Sequence, residues 1–274
     1  MSSTKVDVAE LGEIQETLLI TLWARAAESQ EPQPILRDPR ATEIVRQIDY
    51  DFDRFRRETK LTQPTACVRA TVFDRWVRQF MEEHPDGAII EIGAGLDTRF
   101  ERLDNGRIRW FDLDMPDSMS VRRRFFQETD RRRFITSSVL DPSWLEQVKA
   151  CGAEHYFIIS EGVLLYFSEA QVKQVLGLLA DAFPGACFAF DSCARWAQEN
   201  SRKLEAVKIT NAEFRWGIDD IHEIEAWDPR YRVLEADTTM NYHRQRYPWP
   251  IRFFTYWFPK TRMLFSINLV RLGG

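Results

Sequence analysis

Cysteine is scarce in this chain: four in 274 residues, Cys67, Cys151, Cys187 and Cys193, with no Cys-x-x-Cys spacing and no histidine at a metal-like distance. That excludes a disulfide framework or a zinc module, and no metal is expected; reduced, buried thiols in a cytoplasmic protein are the expectation instead. No apolar run approaches the length of a membrane span, and the polar start MSSTKVDVAELGEIQ lacks the apolar segment of a signal peptide. Positive charge is not in excess either. The 37 basic and 42 acidic residues leave a net charge of −5, which gives no general attraction to nucleic acid or to an anionic membrane. Repeats and low-complexity tracts are missing too. The remainder, 44 % hydrophobic and 29 % charged, is the composition of one large globular domain or of a core with an attached cap.

Glycine is used sparingly, and where it is used it matters. Residues 88–114 read AIIEIGAGLDTRFERLDNGRIRWFDLD. Ala88–Ile92 suits a strand buried on both faces. It runs through Glu91 into Gly93–Ala94–Gly95, where the backbone can turn sharply and meet a ligand without a Cβ in the way. Asp97 and Thr98 read as cap residues of a helix. A second strand over Ile108–Leu113 ends in Asp112 and Asp114. Strand, glycine turn, helix, strand and terminal acid is how open α/β sheets hold a nucleoside cofactor, the acid accepting ribose hydroxyls. A dinucleotide fingerprint needs a third glycine where this chain has Thr98. The pattern therefore favours S-adenosylmethionine over NAD.

Around this motif, apolar spacing predicts helices over residues 11–30, from Asp38 with Pro39 at its first position to Ile48, and over Thr65–Met81. Residues 51–60 are charged and read as an exposed bend or lid. Arg69 falls off the apolar face of its helix, so spacing alone makes it a surface charge. Strands are expected at Phe134–Leu140, His155–Ser160, Cys187–Asp191, Tyr231–Ala236 and Met263–Leu272. Val121–Phe126 is helical, and its arginines, with Arg131, Arg132 and Arg133, read as a solvated face. Ser168 caps the next helix. Between the last two strands lies NYHRQRYPWPIRFFTYWFPK, dense in aromatics and arginine. Such a stretch could stack single-stranded nucleic acid; with a net acidic chain, a pocket wall or a dimer contact is the expectation.

IIEIGAGLDTRF, RWFDLDMP, SSVLDPSW and ISEGVLLYF, with WARAAES and LRDPRATEIVRQIDYD upstream, together resemble the leucine carboxyl methyltransferase family, over nearly the whole chain and closest to its microbial branch of the tetracenomycin polyketide synthesis O-methyltransferase type. The resemblance implies an α/β, Rossmann-like class I methyltransferase that uses S-adenosylmethionine. Its seven-stranded, mostly parallel sheet would have an antiparallel last strand. A helical N-terminal cap would span 1–84 and the core 85–274, with a cap insertion near 195–226. It implies that Arg69 pairs with the cofactor's carboxylate, which a guanidinium fork fits bidentately, and so overturns the surface reading. Glu91, Gly93, Ala94 and Gly95 would line the methionine part. Asp114 would hold the ribose, with Asp112 as fallback, and Glu161 would line the cleft. Where some members carry an aspartate against the adenine amino group, this chain has Ser138, so Val139 and Leu140 are expected to share adenine recognition. Arg25 is aligned with an N-terminal basic residue over the site.

Methyl transfer from a sulfonium is an in-line displacement on an activated carbon, and the protein's task is alignment and exclusion of water. A carboxylate acceptor needs no base, whereas a phenol would gain from one. The catalytic candidates are His243 and Tyr166; the acceptor-binding candidates are Arg25, Tyr166, Tyr242 and Arg244. The expected activity is O-methylation of a carboxyl or phenolic hydroxyl on a small, polyketide-like molecule, with no nucleic-acid or membrane partner. The alternatives are carboxyl methylation of a protein's C-terminal leucine and a non-catalytic subunit that only binds S-adenosylmethionine.

Overall fold

A computed structural model describes residues 6–7, 13–53, 55, 61–203 and 213–273. In chain order the strands are β1 (Val6–Asp7), β2 (Ile48–Asp49), β3 (Ala88–Ile92), β4 (Arg109–Asp114), β5 (Arg132–Thr136), β6 (Tyr156–Ser160), β7 (Cys187–Cys193), β8 (Arg232–Asp237) and β9 (Phe265–Arg271). The α-helices are α1 (Glu13–Glu28), α2 (Pro39–Gln47), α3 (Thr62–Glu83), α4 (Arg99–Leu103), α5 (Pro116–Phe125), α6 (Ser143–Lys149), α7 (Glu169–Ala182), α8 (Arg195–Glu199) and α9 (Trp249–Trp257). Among the described residues no helix is long and apolar enough to cross a membrane.

β3 to β9 form one seven-stranded sheet in the order β5-β4-β3-β6-β7-β9-β8. All its strands are parallel except β9, the last in the chain, which runs antiparallel between β7 and β8. This is the class I methyltransferase sheet. Every residue of β3 is buried, as a central parallel strand covered on both faces requires. β8 alternates exposed and half-buried residues, the signature of an edge strand with one face to water. Local chemistry sets the helix starts. Asp38 caps α2 by accepting from Ala41 N (2.9 Å), with Pro39 at its first position. Ser168 and Gln171 form a capping box at the start of α7.

One face of the sheet is covered by α6 and α7, whose Trp144, Val148, Val172, Val175 and Leu179 pack on Ile90, Ile92, Ile158 and Phe188. The other face is covered by α3, whose Val68, Val72, Phe73, Trp76 and Val77 pack on Ile89, Trp110, Phe157, Ile159 and Ala189. α3 is therefore a layer of the sheet domain, not part of a separate cap ending at residue 84. α1 and α2 sit beyond the carboxyl end of β3, with Leu19, Leu22 and Ile44 packed with Leu96, Met119 and Phe125.

Four further expectations are corrected. β5 spans Arg132–Thr136 rather than Phe134–Leu140; Ser137–Leu140 is a turn, closed by Asp141 N donating to Ser138 O at 3.0 Å. α5 begins at Pro116, not Val121. Its Arg122 and the strand residue Arg132 are not solvated: both are buried, stacked over aromatic rings and paired with the buried Asp112 at 3.0 Å and 2.7 Å. Burying those guanidiniums is tolerable because the opposite charge is buried with them. Finally, Phe55 is buried, so the 51–60 bend is not uniformly exposed; residues 54 and 56–60 of that bend, and 204–212 of the expected cap insertion, lie outside the described residues.

Candidate active site at the glycine turn

The carboxyl ends of β3, β4, β6 and β7 converge on the turn after β3. Gly93 (φ +71°) and Gly95 (φ +44°) are both left-handed, a conformation that costs a side chain on the order of 1–3 kcal/mol. A Cβ on Gly93 would lie 2.2 Å from Val163 Cγ2, and one on Gly95 would lie 3.3 Å from Leu18 Cβ. Those faces of the turn are filled by protein. The expectation of bare backbone open to a ligand is corrected to that extent: these glycines are required by their φ and by close packing.

The turn is clamped from several sides. Arg122 Nη1 donates to the carbonyls of Ala94 (3.1 Å), Gly95 (2.8 Å) and Asp97 (3.1 Å). Arg25 Nη2 donates to Leu96 O (2.9 Å) while its Nε pairs with Asp38 (3.1 Å). Arg25, buried, thus braces the loop from α1, which corrects its expected role as an acceptor contact. Asp114 Oδ2 accepts from Gly95 N (2.6 Å) and its Oδ1 from Met115 N (2.7 Å). Burial raises the Asp114 pKa above its usual value. Asp112, the fallback ribose acid, is fully buried among Arg122, Arg132 and Trp110, so it is a structural anion.

Beneath the turn lies a web of buried ion pairs. Arg99 donates to Asp74 (2.8 Å), Glu91 (2.6 Å) and Glu161 (2.6 Å), with Asp97 at 3.6 Å. The other oxygen of Glu161 takes Arg69 Nε (2.9 Å), and Arg69 Nη1 reaches Asp191 (2.6 Å). Asp191 in turn accepts from Gly162 N (2.7 Å). Burial, with the neighbouring Asp97 charge, pushes the Glu91 carboxyl up to about 8 against the pull of Arg99. Burial opposes ionisation of Asp97 as well, but Arg99, Arg25 and Arg102 hold its carboxyl below the usual range. Burial lowers the Arg69 pKa, but Asp191 and Glu161 more than offset that and raise it.

Arg69, Glu161, Asp114 and the turn are thus brought to one end of the sheet, whereas Glu91 is a support under it. Arg69 already holds two carboxylates, so its Nη2, which faces Gly162, is the edge left for a third. This narrows the expected bidentate grip on a cofactor carboxylate to one edge of the fork. Ser138 Oγ accepts from Leu140 N (3.2 Å) and Val139 O from Trp144 Nε1 (3.3 Å), so this turn after β5 is pre-shaped. Tyr166 packs with Phe214 (5.6 Å between rings) and its phenol adds to the field on Arg69.

The remaining candidates lie elsewhere. Tyr242 donates to Asp237 (2.6 Å) at the end of β8. Arg244 lines a small cavity with Tyr247 and Ile251. His243 is exposed, with φ +43°, and among the described residues its side chain has no partner that would position it as a base. His84 and His155 stack on each other at 3.8 Å. Sequence reasoning missed Asp74, Arg99, Arg122 and Asp191; the one signal for Arg99 was its place in the Gly-Ala-Gly-Leu-Asp-Thr-Arg run.

The sheet order and the turn define the class, an S-adenosylmethionine-dependent methyltransferase with the class I fold. The buried Ser160 hydroxyl at the carboxyl end of β6 has no hydrogen-bond partner among the described residues, and with Asp114 and Arg69 it offers donors and acceptors that suit an amino-acid nucleoside. Residues 18–180 match the model of the leucine carboxyl methyltransferase family. The chain is 34 % identical over 223 residues to the tetracenomycin polyketide synthesis O-methyltransferase TcmP of Streptomyces glaucescens, covering 81 % of this chain and 82 % of that protein. It is 28 % identical to the S-adenosyl-L-methionine-dependent methyltransferase dpfgK of Gibberella zeae, over 81 % and 80 % of the two chains. Among solved structures it is similar in fold to a duf574 family protein from Streptomyces avermitilis, with a TM-score of 0.56 and 14 % identity over 80 % of this chain and 88 % of that one. The chain belongs to the leucine carboxyl methyltransferase family and is an S-adenosylmethionine-dependent O-methyltransferase.

Proposed function

We propose that the enzyme methylates a carboxyl or phenolic oxygen of a small, polyketide-like aromatic molecule. The observation that carries this reading is the similarity to the tetracenomycin polyketide synthesis O-methyltransferase across four-fifths of both chains. When bound, S-adenosylmethionine supplies an electrophilic methyl on a sulfonium. Arg69 Nη2 would take the carboxylate end, Asp114 the ribose, and Ser138 to Leu140 the adenine. The Arg99–Glu161–Arg69–Asp191 chain keeps the Arg69 fork in one orientation, so little ordering remains to be done on binding. Leu18 and Arg25 of α1, seated on the turn, would limit access of water to the reacting carbon.

The placement of the histidines favours the carboxyl acceptor. Two stack on each other at the far end of the sheet, His222 pairs with Glu225 at the surface, and His243 is exposed. A carboxylate is already ionised at neutral pH and needs none of them. Tyr166, beside Arg69 and the aromatic pair Phe214 and Phe265, is the best-placed wall for a flat acceptor. The free thiols Cys67, Cys151, Cys187 and Cys193 support a cytoplasmic setting. A screen with methyl-labelled cofactor against aromatic acids, phenols and peptides ending in leucine tests the proposal. Label transferred to aromatic acids or phenols supports it; transfer to the peptides alone would overturn it.

A further inference from the structure

α9 touches the rest of the fold along one narrow edge. Thr255 is its buried residue and Ile251 is half-buried, whereas Trp249, Phe253, Phe254, Tyr256 and Trp257, with Phe258 just beyond, are each more than half exposed. At about 100° per residue, these rings and Arg252 fan over roughly 240° of arc. The rings stack on one another rather than on the domain: Trp249 on Phe253 at 5.6 Å, Phe253 by Trp257 at 6.3 Å, and Phe254 by Phe258 at 4.9 Å. Such a ridge is convex. A rigid partner covers one side of it, whereas a fluid interface surrounds it.

Charge decides the occupant. From Thr238 to Gly274 the sequence has no aspartate or glutamate and six basic residues, Arg244, Arg246, Arg252, Lys260, Arg262 and Arg271. Since the whole chain carries −5, residues 1–237 carry −11 (−5 less +6), which hides a basic end. Arg246 is paired with Glu28. Arg244 and Arg252 border the cavity under α9, and Arg262 Nε donates to the Thr255 carbonyl at 2.8 Å. Among the described residues these three arginines have no carboxylate partner. A second copy docked through the same helix would set these arginines against a segment, 238–274, that has no carboxylate side chain of its own to meet them. Anionic lipid headgroups supply that charge, and tryptophan and tyrosine favour the headgroup level.

We propose that α9 is an interfacial helix that seats the enzyme on an anionic lipid surface, with its rings in the headgroup layer and Arg244, Arg252 and Arg262 against lipid phosphates. A helix of this length anchors weakly and reversibly, and its attraction fades with salt. The full chain tests this by co-sedimentation with vesicles of phosphatidylcholine alone and of phosphatidylcholine mixed with phosphatidylglycerol. Binding to the mixed vesicles at low salt, lost at high salt and blue-shifting tryptophan emission, is expected. Arg252→Glu should weaken it by about tenfold or more, from a two-charge change near the surface, and the Trp249→Ser/Trp257→Ser pair should abolish the emission shift. Unchanged S-adenosylhomocysteine affinity shows that both variants are folded. No partition of the folded wild type, or equal binding to both vesicle types, would overturn the proposal. So would a dimer, or binding to a single-stranded oligonucleotide, that the same substitutions abolish in the absence of vesicles.

Discussion

Replacing Arg99 with methionine removes the cation at the centre of the buried web, and the structure says how much should be lost. The guanidinium is fully buried and holds Asp74, Glu91 and Glu161 at 2.6–2.8 Å. Removing one partner of a buried pair costs about 3–5 kcal/mol. Three of the four surrounding acids keep another cation: Asp74 has Arg102 at 3.0 Å, Glu161 has Arg69 at 2.9 Å, and Asp97 has Arg25 at 3.9 Å. Among the described residues, only Glu91 is left with no more than the Trp110 indole N–H at 3.3 Å. The loss should therefore fall near the lower end, about 3 kcal/mol. It should also depend on pH: the Glu91 pKa, about 8 beside Arg99, would rise further without that cation, so the loss grows once pH passes about 8. Urea unfolding followed by tryptophan fluorescence at pH 6, 8 and 9 is the assay, and the destabilisation should be larger at pH 9 than at pH 6. A variant within about 1 kcal/mol of wild type at pH 8 would refute the claim that these contacts hold the turn together.

Further tests concern single groups. The Glu91 carboxyl has its folded-state pKa raised to about 8 from 4.5, so the folded protein binds that proton more tightly than the unfolded chain. Its contribution to stability is full at low pH and falls as pH rises from about 4.5 through about 8. Glu91→Gln should flatten the fall in urea midpoint over that window, and an unchanged slope would mean another group is responsible. Gly93→Ala meets both φ +71° and Val163 at 2.2 Å, and a loss of at least about 2 kcal/mol in the unfolding assay is expected. His243→Ala should leave turnover within about twofold of wild type on an aromatic acid, since surface substitutions of this kind cost within about 0.5 kcal/mol; a large loss would give that histidine the base role.

The sequence disclosed the parts whose signal is local. β3 and β4 are mostly apolar runs separated by glycines and closed by Asp114; the structure places β3 as read and β4 one residue later, at Arg109–Asp114. The Asp38 and Ser168 caps were legible for the same reason. What failed was everything settled by a distant partner. Arg122 and Arg132 looked like a solvated face because their partner, Asp112, is buried on the adjacent strand β4, 10 and 20 residues back in the chain. Arg69 looked like a surface charge because its partners, Glu161 and Asp191, are 92 and 122 residues away. Val139 and Leu140 extended the apparent third strand because an apolar pair beside a strand looks like more strand. α3 was assigned to a cap because it precedes β3 in the chain, although its apolar face is buried on the sheet.

Calorimetric titration of S-adenosylmethionine into the wild-type enzyme and Arg69→Ala tests the central claim most directly. Saturable binding by wild type is expected, weakened in the variant by about 1.5–3 kcal/mol, the range for a hydrogen bond to a charged group. Equal affinity in the two proteins, or no heat from wild type, would contradict the placement of the cofactor beside Arg69 and Asp114 at the glycine turn.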